Sequence, residues 1–451
     1  MSAPGLDAPA HEAATPGAEV SFGEAMRLWA KVGFLSFGGA AGQIAMLHRF
    51  VVDERRWLDE RGFLNALNFC TLLPGPEAQQ LATYLGWRLH GVRGGLVAGA
   101  LFVIPGAVVM LALSLLYSLG SGLAVVAGLF AGIKAAVLAI VAEALIRIGR
   151  RALKSRTLIV LAVATFLAIV VVGVPFPALI LGAALIGAVA SRAAPQAFGI
   201  GGRAAPAAGG PVRPAGGALT AAALSLVAWW LPVGLAALAL GASHVLVDLG
   251  LFFSKLAVVT FGGAYAVLAY LADAAVGVKG WVTPGEMVDG LGLAETTPGP
   301  TILVNQFIGQ LAAERRPAPF SPLAAGILGA LLTTWVTFLP SFVWIFAGAP
   351  YLERVVGKPR RAGALAALTA AVVGVVASLA VTFGLHVLFA TVGEVRGAGL
   401  RLPVPEWSSL RPDMLALSLL AGVLLFRFHV GVVTTVATMA AAGLTLMLLR
   451  G

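Results

Sequence analysis

FGGAAGQIAMLHRFVVDERRWLDERGFLNALNFCTLLPGP, residues 37–76, decides how the chain is read. It holds a double glycine, an apolar run, a charged connector, Trp57, a second apolar run and Pro74-Gly75-Pro76. FGGAYAVLAYLADAAVGVKGWVTPGEMVDGLGLAETTPGP, residues 261–300, repeats that order. The double glycine, the tryptophan and the Pro-Gly-Pro each recur 224 positions on, as does Lys31 at Lys255. Composition alone does not keep such landmarks in register, so one structural unit is used twice. Paired Gly/Pro-interrupted segments at matching places in two halves point to the binding site of a transporter.

The composition agrees. The chain has 451 residues, of which 59% are hydrophobic and 11% charged, and its mean hydropathy is +0.95. Several apolar runs of about 18 residues or more describe an all-α polytopic membrane protein. The net charge of +10 does not indicate nucleic acid, because Arg clusters sit between apolar runs as the positive-inside bias expects. Cys70 is the single cysteine, which excludes an internal disulfide and a Cys-based metal cluster. The six histidines are scattered, so no metal site and no cofactor are expected.

Working outward, residues 1–21 read as a disordered N-terminal tail without a cleavable signal. The first unit is read over 22–191, with apolar runs at 24–47, 62–87, 94–119, 122–146, 157–172 and 176–190. The connector Arg49–Arg61 is charge-balanced, whereas Arg147, Arg150, Arg151, Lys154 and Arg156 mark a cytoplasmic loop. Residues 192–217, rich in Ala, Gly and Pro, read as a flexible cytoplasmic linker, followed by one linking span at 218–241. The second unit is read over 242–451. If each Pro-Gly-Pro segment crosses the membrane, two homologous six-span units flank one extra span. That makes about thirteen spans, with the second unit inverted, the N-terminus inside and the C-terminus outside.

Neither Pro-Gly-Pro can lie inside a continuous helix, so two half-helices meet at each. A half-helix start carries N–H groups and partial positive charge, which suits an anion. The candidate substrate-binding set is therefore Pro74, Gly75, Pro76, Glu77 and Gln80 in the first unit, and Thr297, Pro298, Gly299, Pro300, Thr301 and Asn305 in the second. Gly38, Gly39, Gly262 and Gly263 would let an ion approach the backbone; close helix packing is the alternative. Glu77 either caps its own helix or carries a coupling proton. Lys31 and Lys255 either line the anion path or snorkel to an interface. Lys134 and Glu143 are further intramembrane charges, nine residues apart. No catalytic constellation converges in the sequence, so it does not read as an enzyme.

The runs FGGAAGQIAMLHRFVVDERRWLDE, NFCTLLPGPEAQQLATYLGWRLHG and RGGLVAGALFVIPG resemble the chromate ion transporter family in its long-chain, two-domain form. KLAVVTFGGAYAVLAYLADAAV and GWVTPGEMVDGLGLAETTPGPTILVNQFIGQ resemble that family's C-terminal domain. The tail, the linker and residues 392–406 lie outside the resemblance, and Ala40 and Ala264 stand where some members have Pro. The resemblance implies a multi-pass protein of the plasma membrane that exports chromate as a secondary transporter and confers chromate resistance. Sulfate or another oxyanion on the same scaffold is the alternative. Membrane lipid and the oxyanion are the expected partners, with proton coupling as an additional driving force.

Overall fold

The computed structural model describes residues 20–37, 39–120, 122–198, 216–260, 264–351, 359–397 and 400–450. It is almost entirely helical, and seven of its helices are long and apolar enough to cross a membrane. A two-stranded antiparallel hairpin, β1 (Val392–Gly397) and β2 (Leu400–Pro405), follows the helix that ends at Leu388.

The first unit opens with four short helices: α1 (Phe22–Leu35), α2 (Gly39–His48), α3 (Glu60–Cys70) and the start of α4 (Glu77–Gly120). Helices of 10–14 residues span about 15–21 Å, well under a membrane's apolar thickness. α1 and α2 form a hairpin rather than one span. Arg55 in the connector pairs with Glu24 at the start of α1, and Trp57 packs on Trp29 at 6.3 Å. α3 and the first arm of α4 also double back, with Phe69 and Tyr84 ring centroids 6.0 Å apart. His90 and Gly91 then leave helical geometry, and α4 reverses into a long second arm over 92–120. Gly86 and Gly94 allow the two arms to touch backbone to backbone.

The second unit repeats this plan in α9 (Val245–Val259), α10 (Ala264–Ala272), α11 (Pro284–Thr296) and α12 (Val304–Glu314). Lys279 pairs with Asp248 at 2.5 Å, and Phe253 stacks on Trp281 at 5.9 Å. Arg315, just past α12, bonds Glu286 and the Trp281 carbonyl at the start of α11. Both ends of α11–α12 therefore lie together. α13 (Pro322–Gly348) then runs back along α12, with Gly309 against Gly329. A π-helical turn follows each first hairpin, Arg49–Glu54 and Asp273–Val278. Asp59 and Thr283 cap the helices that come next.

These contacts correct the sequence expectation that the Pro-Gly-Pro segments cross. Each is the tip of a hairpin, and the helix pairs α1–α2 and α9–α10, which the apolar pattern reads as single spans, are hairpins too. The physical reason is that two prolines with a positive-φ glycine reverse the chain, and the buried tips find partners on the other unit. The hairpins enter from opposite faces. Val20, Glu24 and His90 gather on one face, where His90 meets the Val20 carbonyl at 2.7 Å. The far end of α4 lies on the other face, where Tyr117 and Ser118 bond Asp289 and Glu314 of the second unit.

Helices α5 (Ala124–Ala152), α6 (Arg156–Leu167), α7 (Phe176–Ala193), α8 (Gly216–Leu240), α14 (Pro359–Leu388), α15 (Pro412–Gly422) and α16 (Val432–Arg450) enclose the hairpins, α6 and α15 each being extended by a π-helical turn. Many outward side chains of α7 and α8, among them Leu181, Leu185, Leu235 and Leu238, are apolar and exposed, as lipid contact requires.

Candidate functional site

The four hairpin tips meet near the middle of the bundle, where irregular backbone is tolerated only if protein or water satisfies it. They do so in crossed pairs. The Gly75 N–H donates to the Thr260 carbonyl at 2.8 Å, and the Gly299 N–H donates to the Ser36 carbonyl at 2.8 Å. Thr260 is the counterpart of Ser36, and Gly299 of Gly75, at the 224-residue offset. Each Pro-Gly-Pro thus bonds the end of the first helix of the other unit. Gly75 and Gly299 have φ of +121° and +94°, a region that side chains rarely enter.

Two glutamines fasten the turns. Gln43 Nε2 donates to the Gly299 and Ser36 carbonyls at 2.6 and 3.1 Å, and Gln80 Nε2 donates to the Pro74 carbonyl at 2.6 Å. Gln79 Nε2 donates to the Phe338 carbonyl at 3.3 Å. Carbonyl acceptors fix which end of each amide is nitrogen. All three amide oxygens are buried and have no hydrogen-bond partner. The amides therefore spend their donors on backbone carbonyls and leave their oxygens buried without a donor.

The expected donors follow suit. Thr297 Oγ1 donates to the Leu293 carbonyl at 2.6 Å, and Asn305 Nδ2 donates to Thr337 Oγ1 at 3.2 Å. What the tips can offer an anion is the backbone at the starts of α4 and α12. The first backbone bonds there are Gln80 N to Pro76 and Leu303 N to Pro300, so the N–H groups of 77–79 lie ahead of the first turn. Glu77 is half-buried at that start, and Thr301 is buried at the other.

Thr301 Oγ1 lies 3.9 Å from where a Cβ on Gly39 would stand, which brings Gly39 to the same place. Pro74, Gly75, Pro76, Glu77, Gln80, Thr297, Pro298, Gly299, Pro300 and Thr301 gather at the tips, with Asn305 one turn behind. Gly38, Gly262 and Gly263 lie outside the described residues. Lys31 and Lys255 do not join the tips in the structure. Lys31 is exposed with Nζ 4.8 Å from the Phe50 ring centre, and Lys255 is exposed beside Asp248 and Lys279.

Sequence reading missed Gln43, Gly106 and Ser341. Gly106 packs against Pro298 and Gly299, and Ser341 Oγ, buried without a partner, lies 3.2 Å from a Cβ position on Gly75. Gly106 and Ser341 each follow an intrahelical proline, Pro105 or Pro340, and that shared Pro was the signal to find them. A cavity of about 370 Å³ opens on the second unit's face, lined by Tyr270, Asp273, Ser378, His386 and Arg401 among others.

A family model described as "Chromate transporter" matches residues 23–188 and 247–445. The chromate transport protein of Pseudomonas aeruginosa is 33% identical over 368 residues, 79% of this chain and 80% of that protein. That of Cupriavidus metallidurans is 28% identical over 397 residues, covering 88% and 86%. A probable chromate transport protein of Synechococcus elongatus is 26% identical over 355 residues, covering 78% and 82%. No solved structure gives a significant match.

Proposed function

The chain belongs to the chromate transporter family, a family of membrane transporters and not of enzymes, and from that premise we propose that it exports chromate across the plasma membrane as a secondary transporter and so confers chromate resistance. The observation that carries this reading is the crossed pair of tip hydrogen bonds, Gly75 to Thr260 and Gly299 to Ser36. It supports a reading in which the starts of α4 and α12 lie around one place midway through the bundle, where their N–H groups and dipoles favour a dianion. The units 22–191 and 242–451 are read as inverted repeats, joined by the linker 192–217 and the span 218–241.

Counting each hairpin as re-entrant leaves nine crossing segments among the described residues. They are the second arm of α4, α5, α6 with its π-helical end, α7, α8, α13, α14, α15 with its π-helical end, and α16. The linker stays inside and the C-terminus outside, because the α1–α2 and α9–α10 hairpins and two Pro-Gly-Pro hairpins change the parity an even number of times. The Arg-rich 147–156 loop, Arg192 and the Arg360–Arg361 pair then share the cytoplasmic side, as the positive-inside bias asks.

The driving force needs no nucleotide. An inside-negative potential favours outward movement of a dianion by about 4.6 kcal/mol per 100 mV, twice the single-charge value. The test is chromate uptake into inverted vesicles under an imposed potential, with sulfate, molybdate and phosphate as competitors. Saturable, potential-driven uptake that shows counterflow is expected. Conductance without counterflow would mean a channel, and preference for sulfate would reassign the substrate on the same scaffold.

A further inference from the structure

The buried charge outside the tips lies where α11 meets α4 and α5. Lys134 of α5 reaches Asp289 Oδ2 at 3.2 Å, and Tyr117 of α4 donates to the same oxygen at 3.0 Å. The Asp289 side chain is 4% exposed, that of Lys134 26%. Asp289 Oδ1 is buried and has no hydrogen-bond partner. The first unit carries Asn65 at the matching position, so only one unit holds this group.

A buried ion pair is weak evidence for stability, because removing two charges from water offsets their attraction. A bare carboxylate oxygen makes it weaker still. An ionisable group within a membrane segment is instead a functional candidate. The other charged neighbours lie toward the aqueous end. Glu286 sits one turn earlier on α11 and pairs with Arg315 at 2.5 Å, and Ser118 of α4 donates to Glu314. α14 and α16 also pack on α11, and residues 363–385 and 432–449 of them carry no titratable side chain.

We infer that Asp289 is a proton-binding site that couples chromate export to inward proton movement. The inference rests on the transport reading above. A proton from water on the outer face bonds to Asp289 Oδ1, and the carboxylate becomes a neutral acid. Lys134 keeps its own protons and loses its counter-charge. The tie between α5 and the α11–α12 hairpin loosens, and the tip at Gly299 can shift against Ser36. The proton leaves Asp289 to cytoplasmic water when the hairpin returns, which restores the pair.

The purified full chain in liposomes that enclose a pH-sensitive dye tests this, with labelled chromate in counterflow as a parallel readout. The wild type is expected to acidify the compartment that chromate leaves. Asp289→Asn should keep counterflow and lose both the chromate-linked proton signal and the pH dependence of the rate. Lys134→Met should match it, because the carboxylate then has no cation whose tie the proton can release. If either single variant folds poorly, the double variant K134M/D289N is expected to recover thermal stability and counterflow but no proton signal. A wild type with counterflow but no proton signal overturns the inference, as does a proton signal that survives in D289N or returns in the double variant. A wild type without chromate counterflow would remove the transport reading and this inference together.

Discussion

The two Pro-Gly-Pro breaks share a backbone and differ in side chains. Both glycines take positive φ, and both donate to the end of the other unit's first helix at 2.8 Å. The ion pairs Arg55–Glu24 and Lys279–Asp248 fall at matching positions, as do the contacts Trp29–Trp57 and Phe253–Trp281. The chemistry after the breaks is not shared. Glu77, Gln79 and Gln80 follow the first; Thr301, Leu303 and Val304 stand at the same places after the second. Gln43 is matched by Val267, so both turns are fastened by glutamines of the first unit. The lesson is that a repeat preserves what the backbone must do. Reversing a chain inside the membrane leaves the same polar groups to satisfy in each copy. Side chains are free to divide the remaining work, and here the fastening amides belong to the first unit and the buried Asp289 to the second.

The largest effect expected separates the two glycines. Gly75→Ala and Gly299→Ala both place a side chain at positive φ, at a cost of about 1–3 kcal/mol each. At Gly75 the added Cβ would stand 2.8 Å from Gln80 Nε2 and 3.2 Å from Ser341 Oγ. At Gly299 the nearest atoms are Leu303 Cδ1 at 3.3 Å and Gly106 Cα at 3.6 Å. G75A should therefore also displace the amide that holds Pro74, adding about 1–3 kcal/mol. Thermal unfolding in detergent should rank G75A well below G299A. Chromate Km, normalised to folded protein, should rise in both. Equal losses would mean that only the shared backbone matters, and an unchanged Km in both would place the anion elsewhere.

A smaller effect should follow from giving the first unit the second unit's residues. Gln43→Val removes the donor that reaches one carbonyl on each unit, Ser36 and Gly299, and Gln80→Val removes the donor to one carbonyl within its own turn. Leaving a buried carbonyl without its donor costs about 1–3 kcal/mol. Q43V is expected to lower stability more than Q80V, because Gly299 lies on the other unit. The reverse order would show that the turns are fastened independently.

Much of this architecture is legible in the amino-acid sequence. The ungapped 224-residue offset exposes the repeat, and the prolines locate both breaks. The direction of the chain after each break is not legible there. A re-entrant half-helix and half of a crossing helix have the same apolar pattern, and only contacts such as Arg315 with Glu286 tell them apart. Treating 24–47 as a span and 62–87 as a crossing are two departures that cancel in parity. The sides assigned to the linker and C-terminus therefore do not depend on either. Gln43 and Asp289 stay hidden because their partners are 256 and 155 residues away, Gly299 and Lys134. Lys31 and Lys255 keep register for a reason the tips do not supply.

The smallest effect concerns the connectors at the aqueous ends of the first hairpins. His48, at the end of α2, meets Glu60 at 2.6 Å and Asp53 at 3.4 Å. The hydrogen bond to Glu60 raises its pKa above the ordinary 6.5, against a smaller opposing effect of burial. A raised pKa means that the folded connector favours the protonated ring. That contribution is whole below the ordinary pKa and is lost as pH rises through the folded value. The second unit has Ala272 at the matching position, and its connector is held by the Lys279–Asp248 pair. Hydrogen–deuterium exchange of residues 49–59, corrected for intrinsic rates, should therefore quicken as pH rises above the ordinary 6.5, while residues 273–283 stay level. His48→Ala should flatten the first profile onto the second. The change should be slight, since Asp53 and Glu60 are more than half exposed and solvent screens such pairs. A first connector that stays level in the wild type would mean that Arg55–Glu24 alone holds it, and the two connectors would then differ in sequence without differing in behaviour.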